Sequence, residues 1–245
     1  MSHAAANSCA AIPRATTLRA TTPRALLLDF GSVISISTFE RHRQTERTLN
    51  LPTGSLTWLG PIDPNTDPLW ASMQRDEITE REYWAIRARE LGEAVGEPNW
   101  DMARMIARLR QSDPNSVVRP QMYNLIAQCR ANGIRVGVLS NEFELFYGTE
   151  MAAKIEVMRG MDAIVDATHT QILKPDPRAY ALALKALSCE AQDVLFVDDQ
   201  FRNIAGAIRA GMQVQFFDLR DVIGNIAAIH ARLKLPIAVP ELPPS

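Results

Sequence analysis

Lysine is scarce in this chain. Lys154, Lys174, Lys185 and Lys234 are the only four, against 22 arginines among 26 basic residues. The three cysteines, Cys9, Cys129 and Cys189, are far apart and form no Cys-x-x-Cys pair. That excludes a disulfide framework and a cysteine zinc site, and it fits free thiols in a reducing cytosol, so a cytoplasmic location is expected. The histidines (His3, His42, His169, His230) lack the His-x-His or His-x-x-x-His spacing of a metal site. No window reaches the roughly 18 apolar residues that a membrane span requires. The net charge of −2 gives no electrostatic footprint for nucleic acid or an anionic membrane. Nothing in the pattern bears on oligomeric state.

What is present is ordinary for a globular protein: 245 residues, 47% apolar and 22% charged, enough for one large domain or two small ones. Residues 1–24 carry Arg14, Arg19 and Arg24, much Ala and Thr, and no acid. This composition is that of a transit peptide, but without an apolar helical face, and a disordered N-terminal extension is expected. Residues 236–245 contain four prolines and should form an extended Pro-rich tail.

Between these ends, short apolar runs recur: Ala25-Leu-Leu-Leu leading into Asp29, Ile134–Leu139, Ala163–Val165, Val194–Val197 and Val214–Phe217. Each reads as a buried strand. Helices are expected between them: Pro120–Ala131, opened by its Pro and stopped by Gly133; Pro177–Leu187; and Asn203–Ala210, closed by Gly211. Strands alternating with single helices predict an α/β fold with a parallel sheet buried on both faces, which explains strands that are solidly apolar. From Phe30 to Ile134 the chain runs about 100 residues, too many for one crossover helix. The expected division is therefore a core of 25–39 and 114–235 with a helical cap of 40–113. Helical periodicity shows at Thr79–Leu91 and Trp100–Leu109, the latter started by Asp101. An insertion directly after the first strand would cover the edge where open α/β sheets bind ligands.

Four polar positions fall at or near that edge: Asp29, Ser140-Asn141, Lys174 and Asp198-Asp199. Singly, each reads as a cap, a turn or a solvated charge. In this order on these strands they suit phosphate chemistry. A carboxylate can attack phosphorus to form an aspartyl-phosphate. Neighbouring carboxylates need a cation between them, and Mg²⁺ takes a few carboxylate oxygens plus the substrate's phosphate. The Ser140 hydroxyl, the Asn141 backbone N–H and the Lys174 ammonium can hold the remaining phosphoryl oxygens.

The segments Leu-Leu-Asp29-Phe-Gly-Ser-Val, Val-Leu-Ser140-Asn, Lys174-Pro-Asp-Pro-Arg-Ala-Tyr and Phe-Val-Asp198-Asp199-Gln-Phe-Arg-Asn203-Ile-Ala-Gly-Ala resemble the four motifs of the haloacid dehalogenase superfamily over about residues 25–220. The resemblance implies a Rossmann-like core with a small helical cap. It implies that Asp29 is nucleophile and Mg²⁺ ligand, that the Gly31 carbonyl and Asp199 are further ligands, that Ser140, Asn141 and Lys174 bind phosphate, and that Asp198 and Asn203 support the metal loop. The implied substrate is a small phosphorylated metabolite.

One position departs from the family pattern. Most phosphatases of the superfamily carry Asp-x-Asp in the first motif, and here the position of the second acid is Gly31. General acid catalysis is worth about 10²–10⁴-fold. Its loss is tolerable if the leaving group needs little protonation, as in anomeric sugar phosphates or acyl phosphates; bacterial glucose-1-phosphate phosphatases of the superfamily are similar here, with Asp-x-Gly. A 2-haloacid dehalogenase, whose halide leaves without a proton, and a catalytically silent binding protein are the alternatives. If rates prove independent of leaving-group pKa, Asp198 or Glu142 is the next candidate for the proton. In the cap, Arg41 and Arg43 are candidates to face an anionic substrate, and Trp58, Trp70, Tyr83 and Trp84 to line a sugar pocket, with cap–core packing as their other use.

Overall fold

The computed structural model describes residues 21–109 and 113–236. Most of the expected N-terminal extension and Pro-rich tail lies outside them. Residues 21–24, expected within that extension, instead dock on the sheet: the Arg24 N–H donates to the Asp193 carbonyl at 2.7 Å, and Gln213 Nε2 donates to the Thr21 carbonyl at 2.9 Å.

Five parallel strands form one sheet in the order β3-β2-β1-β4-β5: β1 (Ala25–Leu28), β2 (Arg135–Ser140), β3 (Ala163–Asp166), β4 (Val194–Asp198) and β5 (Gln213–Phe216). The α/β class and the parallel sheet expected from the sequence are observed. Alternate residues serve opposite faces. Leu26, Leu28, Val136, Val138, Leu195 and Val197 enter one apolar cluster, while Ala25, Leu27, Leu139, Val194 and Phe196 enter the other. Burying each such side chain contributes roughly 1.5–3 kcal/mol, so the three central strands are the rigid part of the molecule.

Between β1 and β2 lie α1 (His42–Thr48), α2 (Pro68–Gln74), α3 (Glu80–Ala94) and α4 (Met102–Leu109). They share an apolar cluster of their own, built on Phe39, Trp58, Trp70, Met73, Tyr83, Trp84, Leu91 and Met105. The start of α3 is fixed by a capping box: Thr79 Oγ1 accepts from the Glu82 N–H, and the Glu82 carboxylate accepts from the Thr79 N–H at 2.7 Å. Asp101 starts α4 as expected, its Oδ1 accepting from the Arg104 N–H at 2.7 Å. After this module, α5 (Pro120–Ala131) leads into β2, and the short α6 (Phe143–Tyr147) and α7 (Thr149–Ala152) follow that strand. The short α8 (Ala167–Thr170) follows β3, α9 (Pro177–Leu187) leads to β4, α10 (Phe201–Arg209) to β5, and α11 (Val222–Leu233) closes the described chain.

This strand order creates a reversal. From β1 the chain winds outward through β2 and β3, then returns to the other side of β1 for β4 and β5. The crevice at such a switch point, outside the carboxyl ends of β1 and β4, is where open α/β sheets take ligands.

Candidate active site

Strand register builds the site. Leu28 pairs with Val138 on one side and Val197 on the other, so the next residues outward, Asp29 and Asp198, leave adjacent strands at the same level. The Asp29 N–H donates to the Val197 carbonyl at 2.9 Å. Lys174 reaches both acids, its Nζ 2.8 Å from Asp29 Oδ1 and 2.7 Å from Asp198 Oδ2. It is 1% exposed and Asp29 is 6% exposed, so these charges act on one another with little screening by water. Burial works against the Lys174 charge, but Asp198 and Asp29 overcome it and keep the ammonium firmly protonated. The Asp29 carboxyl is pushed up to about 7, chiefly by burial; Lys174 pulls it down, and Asp198 and Glu80 push it up.

The loop after β4 carries the rest. Asp198 is fully buried; its Oδ1 accepts from the Gln200 N–H at 2.8 Å, and Asn203 Nδ2 reaches both oxygens at 3.1 and 3.2 Å. Asp199 is also buried, and burial, then Asp198, Asp29 and Glu80, raise its carboxyl well above the usual range. Ligand atoms of Asp29, Asp198 and Asp199 lie within 4.8 Å of one another. Three carboxylates against one ammonium leave two negative charges in a buried space when all are ionised. A divalent cation would balance that excess, and hard carboxylate oxygens are the ligands Mg²⁺ prefers. The residues present therefore fit the expected ion.

On the opposite flank, Ser140 and Asn141 end β2. The Asn141 side chain is locked to the lysine loop: its Oδ1 accepts from the Lys174 N–H at 2.7 Å and its Nδ2 donates to the Lys174 carbonyl at 3.2 Å. Asn141 Nδ2 also donates to Glu80 Oε2 at 2.9 Å. Asp29, Gly31, Ser140, Asn141 and Asp199 line one pocket, which encloses about 640 Å³ of unfilled space with its open mouth included. Lys174, Asp198 and Asn203 lie beneath this lining as its buried support. The structure thus brings together all eight expected site residues.

The turn Phe30–Ile34 carries the missing acid's position. Gly31 has φ −62°, a value any residue adopts, and among the described residues beyond its chain neighbours a Cβ placed there would first meet Asp29 Oδ2 at 3.7 Å. Ser32 takes φ 62°, the left-handed region that favours glycine. Arg119 secures this turn, its Nε and Nη2 donating to the Ser32 carbonyl at 3.1 and 2.8 Å while its Nη1 meets Glu40 at 2.8 Å.

The cap candidates divide. Trp70 and Trp84 line the pocket with Phe39. Trp58 and Tyr83 pack inside the module, where Tyr83 donates to Asp67 Oδ2 at 2.7 Å and the Arg87 guanidinium lies over both rings. Neither expected arginine lines the pocket: Arg41 donates to the Ser116 carbonyl, and Arg43 pairs with Glu46 at 2.8 Å. Backbone carbonyls and local acids win because both arginines sit at the start of α1, beside those partners. Among the described residues of this module, the charged ones that reach the site are Glu80 and Arg81, in the first turn of α3. Arg81 Nε meets Glu142 Oε1 at 2.9 Å. The capping box at Thr79 was the available signal for a helix start here, but the docking of that start over β2 has no local signature.

Comparison with known proteins agrees with this geometry. The mouse protein acyl-CoA dehydrogenase family member 10 is 26% identical over 189 residues, which is 77% of this chain and 17% of that protein, so the chain spans a small part of its length. Sesquiterpene phosphatase astK of Aspergillus oryzae is 26% identical over 159 residues, 58% of this chain and 69% of that protein. Among solved structures, the HAD-hydrolase YfnB of Bacillus subtilis, described as bound to magnesium, superposes with a TM-score of 0.67 at 15% identity over 88% of this chain and all of that one. The model of the haloacid dehalogenase-like hydrolases matches residues 23–211, and the chain belongs to that family.

Proposed function

We propose that this protein is a Mg²⁺-dependent hydrolase of small phosphomonoesters that works through an aspartyl-phosphate on Asp29. The observation that carries the reading is the buried Asp29–Lys174–Asp198 cluster with Asp199 beside it, at the sheet's switch point. Lys174 fixes Asp29 through Oδ1, which leaves Oδ2 on the side of Gly31, and both residues line the pocket. Asp29 is the nucleophile, Ser140 and the Asn141 N–H receive the phosphoryl oxygens, and the Lys174 ammonium, buried behind Asp29, supplies positive charge to them. Asp29, Asp199 and the Gly31 carbonyl would hold the metal, with Asp198 and Asn203 bracing the loop; bound there, Mg²⁺ would supply positive charge to the phosphate. The description of YfnB with magnesium supports this ion. A third buried acid also favours a metal-dependent phosphatase over a metal-free 2-haloacid dehalogenase, and a filled site argues against a silent binding protein.

The finer expectation, a sugar phosphate, is supported by the Asp-x-Gly motif and by a lining in which Ser35, Ser37 and Thr38 accompany the rings of Trp70 and Trp84. A second reading, an apolar alkyl phosphate, is favoured by Phe30, Phe39, Phe143 and Phe146 in the same lining, and by the relative named as a sesquiterpene phosphatase. No helix of the described residues is long and apolar enough to cross a membrane. A cytoplasmic setting remains part of the proposal, resting on the free thiols of Cys129 and Cys189.

The test is a hydrolysis screen of sugar, alkyl and aryl phosphates with Mg²⁺, with chelated and Asp29→Asn controls. Turnover that survives both controls would overturn the reading. Release of halide from a 2-haloacid without metal would replace it with the dehalogenase.

A further inference from the structure

Gly31 removes the acid that would protonate the leaving oxygen, yet the pocket is not without a spare carboxyl. Glu142 follows Ser140 and Asn141 at the end of β2, lines the same pocket as Asp29 and Gly31, and is 6% exposed. One of its oxygens is occupied, Oε1 by Arg81 Nε at 2.9 Å. The other, Oε2, is buried and has no hydrogen-bond partner among the described residues. A buried polar atom without a partner costs about 1–3 kcal/mol, so its retention in a ligand pocket calls for a functional reason. We infer that Glu142 is the proton donor to the leaving oxygen, in the role Gly31 has vacated. This inference rests on the phosphatase reading and deepens it.

The topology supports the placement. β1 lies between β2 and β4, so Asp29 is flanked by Glu142 on the β2 side and by Asp198 and Asp199 on the β4 side. A phosphoryl group over Asp29 therefore has the acid cluster on one flank and Glu142, with Glu80 held on the neighbouring Asn141, on the other. The backbone of Glu142 is fixed, its carbonyl accepting from the Phe146 N–H at 2.9 Å.

The proton is available. Burial pushes Glu142 up to about 8, helped by Glu80 and Asp166, against the pull of Arg81. The group is thus a neutral acid at pH 7. Asp198 does not fit the role, because Lys174, the Gln200 N–H and Asn203 Nδ2 already engage both of its oxygens. Glu80 fits less well. Its Oε2 already accepts from Asn141 Nδ2.

The steps balance. An Asp29 oxygen bonds to phosphorus as the ester P–O bond breaks, and the electron pair left on the leaving oxygen takes the Glu142 Oε2 proton to give an alcohol. The resulting carboxylate then accepts a proton from water while the water oxygen bonds to phosphorus. The P–O bond to Asp29 breaks, phosphate leaves, and Glu142 is protonated again. With a proton supplied in this way, the substrate need not have a good leaving group.

The experiment compares kcat for matched alkyl and aryl phosphates, with Mg²⁺, in wild type, Glu142→Gln, Glu80→Gln and Asp29→Asn. Wild-type rates are expected to vary little with leaving-group pKa. Glu142→Gln should lose about 10²–10⁴-fold on alkyl phosphates and far less on aryl phosphates, and the wild-type rate on alkyl substrates should fall above about pH 8. Carboxyl-labelled NMR should find one glutamate titrating near that value, absent in Glu142→Gln. A steep leaving-group dependence in wild type would overturn the inference even if the variant failed to fold. So would equal losses on both substrate classes, a selective loss in Glu80→Gln instead, or titration of Glu142 in the ordinary carboxylate range. Absence of any Asp29-dependent turnover would overturn the phosphatase reading, and the inference with it.

Discussion

Lys174 and Asp29 form a buried ion pair at 2.8 Å although they belong to separate motifs, one preceding α9 and the other ending β1. The same ammonium also serves Asp198 at 2.7 Å. Removing it would leave two facing carboxylates in a space with little water. Breaking a buried pair in this way typically costs 3–5 kcal/mol. Lys174→Met is therefore expected to lose turnover and also to unfold at a clearly lower temperature than wild type, measured without metal by calorimetry. A variant as stable as wild type would mean that the two acids are not both charged at rest.

Mg²⁺ should stabilise the protein as well as activate it. A ligand that binds only the folded state adds about 2.7 kcal/mol when present at 100 times its Kd. Thermal unfolding with increasing Mg²⁺ should show a rising midpoint in wild type and none in Asp199→Ala. An unchanged wild-type midpoint under saturating Mg²⁺ would argue against an ion held by Asp29, Asp199 and the Gly31 carbonyl.

Glu142 predicts a pH dependence of stability. Its carboxyl is raised from the ordinary 4.5 to about 8, so the folded state favours the protonated form. Its contribution is complete below about 4.5, declines as pH rises, and is gone above about 8. Glu142→Gln does not ionise, so its stability should fall less than that of wild type between pH 5 and pH 9. Parallel curves from denaturant titrations would show that the shift is absent.

Room exists to restore the conventional acid. The open space at Gly31 and its ordinary φ of −62° should let Gly31→Asp fold normally. In a Glu142→Gln background, this second change is expected to recover turnover of alkyl phosphates selectively. Equal recovery on aryl phosphates would point to an effect on binding instead of proton transfer.

Ser32 offers a separate test of the turn. A left-handed backbone costs a non-glycine residue roughly 1 kcal/mol or more. Ser32→Gly should raise the unfolding midpoint by about 2–4 °C for a protein of this size, provided Arg119 keeps its grip on the carbonyl. A lower midpoint would mean that the Ser32 side chain contributes more than its backbone costs.

The central sheet was legible because its signals are local. Leu26 to Leu28 and Val194 to Val197 are apolar without alternation, as buried parallel strands must be, and Pro120 and Pro177 open their helices at the expected residues. The edge was less clear. β5 includes the polar residues Gln213 and Gln215, since an outer strand is only half-buried, and α10 starts at Phe201, two residues before the expected Asn203. The expected site residues converge because Asp29, Gly31, Ser140, Asn141, Asp198 and Asp199 sit at or just past strand ends, and Lys174 and Asn203 come to them from the loop before α9 and the first turn of α10. Glu80, Arg81 and Arg119 escaped detection for the opposite reason: Arg119 meets Glu40 across 79 residues of chain, and Arg81 meets Glu142 across 61. Docking of one element on another sets such pairs, and no sequence period marks it.

The first turn of α3 has a consequence for timing. Glu80 grips Asn141 and Arg81 grips Glu142, so two successive residues of the inserted module clasp two successive residues of the core. Swinging the module away would release both at once. Glu142 would then meet solvent, ionise at neutral pH and forfeit its proton, while Asn141 would lose one of the bonds that fix its amide. If Glu142 is the proton donor inferred above, bond breaking would be interlocked with closure: the acid would be armed only while the pocket is shut, and water entering an open pocket would meet a disarmed site.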